Sequence, residues 1–347
     1  MLRRRTRKRI KRWLVYVVVR GVAQLLLALP LRAALCLGRG FGRVAHALDR
    51  TGRVRARAQL RRAFADPASR VPLGAGAGAG VGVGVGVGER EIRALSARVY
   101  ANLGMVAVEI GWMGRLRRDI DRYVFLGRAA EETLRAAQAE RRGVIFVAGH
   151  IGHWELLAQR IAALGFKTAT LARSSPNPYL GAWLVRIRGA GGLTTINRGD
   201  PGAARQMLAT LRSGGLLGIL IDQSVPVPSV EVSFFGAPAP TPRVAAELAV
   251  RRGIPVAFGW IWRRPEGGHE VGIERVVEDL GASEAMSREA RIVALTQRLT
   301  TRIETRIRER PADWVWFHDR WRARPAWLPG GPPDSPSESA GEASSDA

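Results

Sequence analysis

The chain has 347 residues, of which 46% are apolar and 24% charged, values typical of a globular protein that exclude disorder throughout. It carries 54 Lys and Arg against 30 Asp and Glu, and the net charge of +24 favours anionic partners such as membrane surfaces, nucleic acid or phosphorylated substrates. Its single cysteine, Cys36, excludes an intrachain disulfide framework and any zinc site built from several cysteines.

The N-terminal segment joins a basic cluster to an apolar run. Residues 3–12 contain eight basic side chains, and residues 13–31 are mostly apolar but are interrupted by Arg20 and Gln24. A central arginine makes a spanning helix marginal, so this segment is expected either to cross a bilayer or to lie in one leaflet. We predict a membrane anchor over residues 1–40, with its arginines on the cytoplasmic side, because arginines bind anionic headgroups and remain on that face.

Two segments of low complexity bound the rest of the chain. Residues 74–88 alternate Gly with Ala or Val and cannot bury a side-chain core, so they predict a flexible insertion. Residues 328–347 are rich in Gly, Pro and Ser and predict a disordered tail. The region 41–327 is therefore expected to be one domain that carries the insertion.

Short apolar segments rich in β-formers alternate with helical stretches between the insertion and the tail. The predicted strands lie at 143–149, 167–172, 192–197, 216–221, 254–262 and 270–277, and the predicted helices at 153–164, 178–188, 202–212, 242–252 and 286–309. This alternation predicts an α/β domain with a central, largely parallel sheet flanked by helices. Ligands of such sheets bind at the carboxyl ends of the strands, so the site is expected there.

The sequence GHIGHWE at 149–155 follows the first predicted strand. His150 is expected at the carboxyl end of that strand and Glu155 near the first turn of the next helix, with a turn at Gly152 that can fold one towards the other. An imidazole whose far nitrogen is held by a carboxylate becomes a better base and can take a proton from an alcohol. The pattern therefore indicates a catalytic His150 that Glu155 orients.

Other interpretations of these residues stay open. A glutamate at a helix N-terminus is favoured by the helix dipole alone. His150, His153 and Glu155 also have a spacing that metal ligands can use, although HxxHxE is not a common zinc signature.

The chain has no GxSxG elbow that would present a serine nucleophile, and its single cysteine lies in the N-terminal segment. Direct transfer, in which His150 deprotonates a hydroxyl that attacks an activated acyl carbonyl, is thus the simplest chemistry.

Five segments, taken in order, resemble the motifs of the lipid A biosynthesis acyltransferase family, the late acyltransferases of the lysophospholipid acyltransferase superfamily. They are GHIGHWE, where the family has HxxxxE or HxxxxD; Arg173 with Asn177, Pro178 and Tyr179; Asp222 with Gln223; Phe234, Phe235, Gly236 and Thr241; and Trp314, Trp316, His318, Arg320 and Trp321. The likeness covers roughly residues 10–325 and departs from the family at His153, where Asn is usual.

This resemblance implies that the protein transfers a fatty acyl chain from an acyl carrier protein or coenzyme A thioester to a hydroxyl of a lipid A-type glycolipid. It implies a place at the cytoplasmic face of the inner membrane, no metal or other cofactor, and His150 and Glu155 as the catalytic dyad. Acylation of a lysophospholipid or of a phosphatidylinositol mannoside is the close alternative.

Substrate contacts are expected from residues at the ends of the predicted strands. Arginine forks suit phosphate geometry, so Arg173, Arg188 and Arg198 are candidates for binding a phosphate or the thioester carrier. Asp222 is expected either to orient a substrate group or to pair with an arginine, because an unpaired buried carboxylate is costly. The expected substrate-binding set is Arg173, Asn177, Arg188, Asp222 and Gln223.

A non-catalytic, basic, membrane-tethered binding protein is the competing interpretation of the net charge of +24. The sequence contains neither a paired Cys/His finger nor an aromatic RNP segment, and its basic residues are dispersed. Nucleic acid is therefore not expected as a partner. The expected partners are membrane lipids, the acyl donor and the glycolipid acceptor.

Overall fold

A computed structural model describes residues 2–65, 87–140, 142–276 and 286–322. The predicted α/β class is confirmed: a large, mostly parallel sheet is flanked by helices. The predicted insertion at 74–88 lies outside the described residues except for its last two positions, and the predicted tail at 328–347 lies outside them entirely.

Helices make up the N-terminal part and both faces of the sheet. They are α1 (Leu2–Leu27), α2 (Leu31–Leu48), α3 (Arg50–Ala63), α4 (Glu89–Leu116), α5 (Ile120–Tyr123), α6 (Arg128–Ala139), α7 (Trp154–Ala162), α8 (Pro178–Gly189), α9 (Ala203–Arg212), α10 (Val244–Arg252) and α11 (Arg288–Glu309). Short 3-10 turns follow α4 and α11.

The strands are short and mostly buried. They are β1 (Val124–Leu126), β2 (Val144–Ala148), β3 (Thr168–Ala172), β4 (Leu193–Asn197), β5 (Leu216–Leu220), β6 (Ser229–Phe234), β7 (Ala237–Pro242), β8 (Val256–Arg263) and β9 (His269–Val276).

The main sheet has seven strands in the order β1-β9-β8-β2-β5-β3-β4. Its neighbours pair in parallel except β8 with β9, which a short turn joins and which must therefore run antiparallel. Strand β5 enters between β2 and β3, and the β3–β5 pairing is described only from Thr168 to Thr170. The two strands separate beyond that point, which opens the carboxyl edge of the sheet.

Strand β2 lies in the middle of the core. Its five residues are all buried, and they alternate between two hydrophobic clusters on opposite faces of the sheet. Ile145 and Val147 pack against α9, α10 and α11, whereas Phe146 and Ala148 pack towards α7. Burial on both faces is the reason that this segment is continuously apolar instead of alternating.

A β-hairpin that the sequence patterns did not reveal lies outside the main sheet. Strands β6 and β7 pair antiparallel, and the turn between them consists of Phe235 and Gly236, both with positive φ, at 51° and 72°. Two consecutive positive φ angles suit the right-handed twist of a tight hairpin. The Phe235 N–H donates to Glu304 of α11 at 2.6 Å, which fixes this unusual backbone. The FFG segment thus forms the hairpin turn.

The N-terminal helices pack on α4 through small residues. Ala34, Gly38 and Gly42 of α2 are buried, and a Cβ at Gly42 would lie 2.1 Å from the carbonyl oxygen of Tyr100. Helix α2 continues through residue 40, where the predicted membrane anchor ends. The domain boundaries given from the sequence, at 40/41 and 327/328, stay predictions. Within the described residues, no helix combines the length and the apolar character that crossing a bilayer requires.

Candidate active site

Close backbone contacts fix the 149–153 loop, which joins β2 to α7. Gly152 has a φ of 60°, and a Cβ there would lie 2.1 Å from the carbonyl oxygen of Ile261. The N–H of Gly152 donates to the carbonyl oxygen of Asp313 at 2.8 Å. Only glycine fits this position, because it tolerates both the positive φ and the close approach of another backbone. The loop is therefore held between β8 and the C-terminal segment.

His150 pairs with Asp222, which follows β5, the strand beside β2. The imidazole Nδ1 lies 2.8 Å from Oδ1 of Asp222, and the backbone N–H of His150 donates to Oδ2 at 2.7 Å. The indole N–H of Trp314 donates to the same Oδ2 at 2.6 Å. The Asp222 side chain is fully buried, whereas His150 keeps 23% of its side-chain surface exposed. One end of the pair is thus sealed and the other faces the cavity described below.

The surroundings keep the Asp222 carboxyl ionised. Burial by itself would raise its pKa, but the electrostatic attraction of the His150 ring and the hydrogen bonds from His150 and Trp314 lower the pKa to about 2. An ionised carboxylate only accepts hydrogen bonds, so Nδ1 of His150 carries the proton and donates it. The Nε2 atom is then free to act as a base towards a group in the cavity.

Glu155 does not occupy the position expected of it. Its carboxylate binds Arg188 of α8 in a two-pronged ion pair, with 2.8 Å from Nε to Oε2 and 2.5 Å from Nη2 to Oε1. The expected hydrogen bond from His150 to Glu155 is replaced by the one to Asp222. The physical reason is topological: β5 inserts beside β2 and brings Asp222 to the imidazole, while the first turn of α7 directs Glu155 towards α8.

The same contacts correct the expectation for Asp222. It was predicted to orient a substrate group or to pair with an arginine, and its carboxylate instead contacts His150 and Trp314. Arg188, by contrast, lines the cavity as a substrate-binding residue would, although its guanidinium is already paired with Glu155.

His153 lies in the protein interior, apart from His150. Its side chain is fully buried and caps α7, with Nδ1 accepting the N–H of Leu156 at 3.2 Å. An Asn side chain at this N-cap position is equally able to accept that hydrogen bond, which explains how His can replace the usual Asn. Among the described residues, no group of three or more His, Cys, Asp or Glu side chains is arranged to hold a metal ion.

A buried polar cluster beneath the loop was not found from the sequence. Glu109 of α4 is fully buried and accepts hydrogen bonds from Tyr123 at 2.5 Å, His269 at 2.8 Å and Arg263. Nε2 of His153 lies 3.8 Å from Oε2 of the same carboxylate. Burial alone would raise the pKa of Glu109, but these neighbours lower it. The one available signal was a glutamate inside an apolar helical segment.

A cavity of about 680 Å³ opens at the carboxyl edge of the sheet, beside His150. Its volume is that of a pocket for a medium-sized organic ligand. Apolar side chains form most of its lining. These include Phe146, Leu157, Ile161, Leu193, Met207 and Ile219. The polar residues of the lining include Glu155, Arg173, Arg188, Arg198, Gln223 and His318.

Asn177 has a different position from the one expected for a substrate-binding residue. It is not among the described residues that line the cavity. Its Oδ1 caps α8 by accepting the N–H groups of Tyr179 and Leu180, at 3.1 and 3.4 Å, and its Nδ2 donates to the carbonyl oxygen of Arg12 at 2.9 Å. Asn177 therefore starts α8 and attaches α1 to it.

His318 lines the cavity but was not among the predicted site residues. Its Nε2 lies 3.2 Å from the carbonyl oxygen of Ser224, so Nε2 carries a proton and Nδ1 is an acceptor. Burial lowers the pKa of His318, which keeps the ring neutral at pH 7. The available signal was its place in the C-terminal WVWFHDRW segment.

Residues 88–323 match the model of a family described as bacterial lipid A biosynthesis acyltransferase. Two relatives named phosphatidylinositol mannoside acyltransferase, from Mycobacterium tuberculosis strains CDC 1551 / Oshkosh and ATCC 25618 / H37Rv, are each 24% identical to this chain over 212 residues. The matched region is 60% of this chain and 63% of each relative, so the chain spans less than two thirds of their length.

Proposed function

The chain belongs to the bacterial lipid A biosynthesis acyltransferase family, and from that premise we propose that it is a membrane-associated O-acyltransferase. It transfers a fatty acyl chain from an acyl carrier protein or coenzyme A thioester to a hydroxyl of a lipid A-type glycolipid. The observation that carries this proposal is the His150–Asp222 pair at an apolar cavity. The apolar wall suits an acyl chain, and the pair suits activation of an alcohol.

In the proposed reaction Nε2 of His150 removes the proton of the acceptor hydroxyl as its oxygen attacks the thioester carbonyl carbon. The tetrahedral intermediate collapses with cleavage of the C–S bond, and the imidazolium returns the proton to the departing thiolate. The products are an ester and a free thiol. Asp222 holds the ring in one tautomer and stabilises its positive charge between the two steps. The thioester is the co-substrate, and the reaction uses no cofactor.

We assign Glu155 and Arg188 a positioning role in this mechanism. Glu155 holds the Arg188 guanidinium in the cavity wall by two hydrogen bonds. A fixed cation at that wall favours the negative charge that develops on the carbonyl oxygen during attack. The carboxylate of the HxxxxE motif thus acts through Arg188 and not through the imidazole.

A phosphatidylinositol mannoside is the second candidate acceptor, because the two curated relatives carry that substrate in their names. It shares with a lipid A-type precursor the features that the site can recognise, namely sugar hydroxyls next to phosphate and acyl chains. A lysophospholipid is a third acceptor to test.

We place the protein at the cytoplasmic face of the inner membrane, held by its N-terminal helices. Residues 1–65 contain 18 of the 54 Lys and Arg but only one of the 30 Asp and Glu. Leu37, Phe41, Val44 and Leu48 form an apolar stripe on α2, which we call the α2 stripe, and 45–79% of each side chain is exposed. An apolar stripe beside many cations suits the surface of an anionic bilayer.

The test measures transfer of a labelled acyl group by the full-length protein in anionic vesicles. The assay compares lipid A-type, phosphatidylinositol mannoside and lysophospholipid acceptors, each with acyl carrier protein and coenzyme A thioesters. His150→Ala should abolish transfer, and Asp222→Asn should reduce kcat on the order of 10³-fold because the ring loses its anionic partner. Thermal unfolding of both variants serves as the folding control. Full turnover by a folded His150→Ala protein would contradict the proposal.

A further inference from the structure

Two arginines stand side by side at the carboxyl edge of the sheet. Strands β3 and β4 pair in parallel up to Ala172 and Asn197, and each strand is followed at once by an arginine, Arg173 and Arg198. The backbone N–H of Arg198 donates to the carbonyl oxygen of Ala172 at 2.7 Å, so the register continues to this point. Adjacent strands lie about 4.8 Å apart, and the two residues are therefore direct neighbours.

Both arginines line the cavity, and neither takes part in an ion pair in the part of the chain that the structure describes. The other cavity arginines differ: Arg188 pairs with Glu155, and Arg243 pairs with Glu289 and Glu247. Asp200 also lines the cavity but is exposed, and it forms no salt bridge among the described residues. The neighbouring pair is thus a site of positive charge without a counterion among the described residues.

The charge of this pair persists at neutral pH. Burial, and next the charge of Arg173, lowers the pKa of Arg198, but a guanidinium keeps its proton at pH 7. Two cations held next to each other at a cavity wall repel, and an anion between them removes that repulsion. Two planar guanidinium groups, each with parallel N–H donors, match the oxygens of a phosphate better than they match a single carboxylate.

We propose that Arg173 and Arg198 form a phosphate-binding subsite for one of the two substrates of the proposed acyl transfer. The inference rests on that proposed function for the identity of its ligand. The sheet order places β3 and β4 two and three strands from β2, so the subsite lies roughly 10–14 Å along the edge from the strand that carries His150. A phosphate bound there is remote from the reacting carbonyl.

That phosphate has two possible sources with the same chemistry. The acyl donor carries one on the pantetheine arm, many bonds away from the thioester, and the glycolipid acceptor carries one on its headgroup. The cavity joins both the imidazole and the arginine pair in one continuous space.

The experiment measures binding of coenzyme A and of pantetheine, which lacks phosphate, to the full-length protein in detergent by calorimetry. If the bound phosphate belongs to the acyl donor, the Kd of coenzyme A should rise at least tenfold in Arg173→Gln/Arg198→Gln, because charged hydrogen bonds to phosphate are lost, with no change for pantetheine. Arg186→Gln is the matched control, since Arg186 lies exposed on α8, outside the lining of the cavity. Arg173→Lys/Arg198→Lys, which keeps the charge, should weaken binding less.

Steady-state kinetics of the same variants identify the source. A raised KM for the acyl donor supports a donor phosphate, and a raised KM for the glycolipid with unchanged coenzyme A binding supports an acceptor phosphate. If both KM values and the coenzyme A affinity match those of Arg186→Gln, the subsite does not exist. Because His150→Ala should bind coenzyme A like the unmodified protein, loss of the proposed catalysis and loss of the subsite give separate results.

Discussion

Trp314 donates its indole N–H to Oδ2 of Asp222 at 2.6 Å, although 92 positions separate the two residues in the chain. The Asp222 carboxylate therefore accepts hydrogen bonds from two directions: Oδ1 faces the imidazole of His150, and Oδ2 faces the buried indole of Trp314. Removal of the indole N–H leaves part of a buried carboxylate unsatisfied, which costs more than the hydrogen bond itself contributes.

Trp314→Phe should lower kcat about tenfold, because loss of the indole N–H raises the pKa of Asp222 and weakens the hydrogen bond between Asp222 and the His150 imidazole. Trp316→Phe is the matched control: Trp316 is equally buried, and its indole N–H donates at 2.6 Å to the carbonyl oxygen of Pro311. Both variants should lose similar stability in urea unfolding. Equal kcat values for the two would show that Trp314 only packs.

The Glu155–Arg188 ion pair predicts a strong non-additive effect on stability. Its side chains are only 7% and 12% exposed, so Glu155→Gln leaves a nearly buried cation without a partner and should cost about 3 kcal/mol. The double variant Glu155→Gln/Arg188→Gln should recover most of that loss. Denaturant unfolding of the unmodified protein, Glu155→Gln, Arg188→Gln and the double variant measures this. Additive losses would mean that the two side chains do not interact.

Burial of neutral His153 predicts acid sensitivity. Burial lowers its pKa to about 3, so between pH 6.5 and 3 the unfolded chain binds a proton that the folded protein excludes. The contribution of His153 to the free energy of unfolding is therefore fully present above pH 6.5 and is lost on acidification. At pH 5 the loss from this one group is about 2 kcal/mol. His153→Asn keeps the cap of α7 and should flatten the profile of unfolding free energy against pH. Parallel profiles for the two proteins would exclude this origin.

The α2 stripe predicts which surface binds lipid. Phe41→Ser/Val44→Ser should reduce binding to anionic vesicles, measured by sedimentation, at least tenfold. A tenfold change corresponds to about 1.4 kcal/mol, and each apolar side chain contributes roughly 1.5–3 kcal/mol when it is fully buried in the bilayer. Phe125→Ser is the control, because Phe125 is similarly exposed on β1, at the opposite edge of the sheet from β4. Equal loss in both variants would assign the effect to general surface polarity.

Apart from β6 and β7, local patterns predict the strands and helices from β2 to α10 to within about two residues, because β-branched runs and amphipathic stretches alternate there. The hairpin of β6 and β7 escaped prediction because β7 contains three prolines and its turn begins with Phe235, a residue that rarely adopts positive φ. The antiparallel pairing of β8 with β9 depends on a short connection rather than on composition.

The site was predictable only where neighbours in sequence are neighbours in space. His150 follows its strand as expected, but the choice between Glu155 and Asp222 as its partner depends on which strand lies beside β2. No periodicity encodes the insertion of β5 between β2 and β3. Asn177 shows the same limit: its motif pointed to substrate, while the docked α1 makes it a contact between helices.

The attachment of α1 to α8 links the N-terminal helix, which we propose to lie at the membrane, to the cavity wall. Asn177 and Arg12 join the two helices at one end of α8, and the other end presents Arg188 to Glu155. A pull or tilt of the N-terminal helix would be transmitted along about three turns of rigid backbone to the guanidinium. We therefore expect binding to a bilayer to affect the turnover rate as well as the location of the protein. A chain that lacks its first 30 residues should lose membrane binding and turnover together.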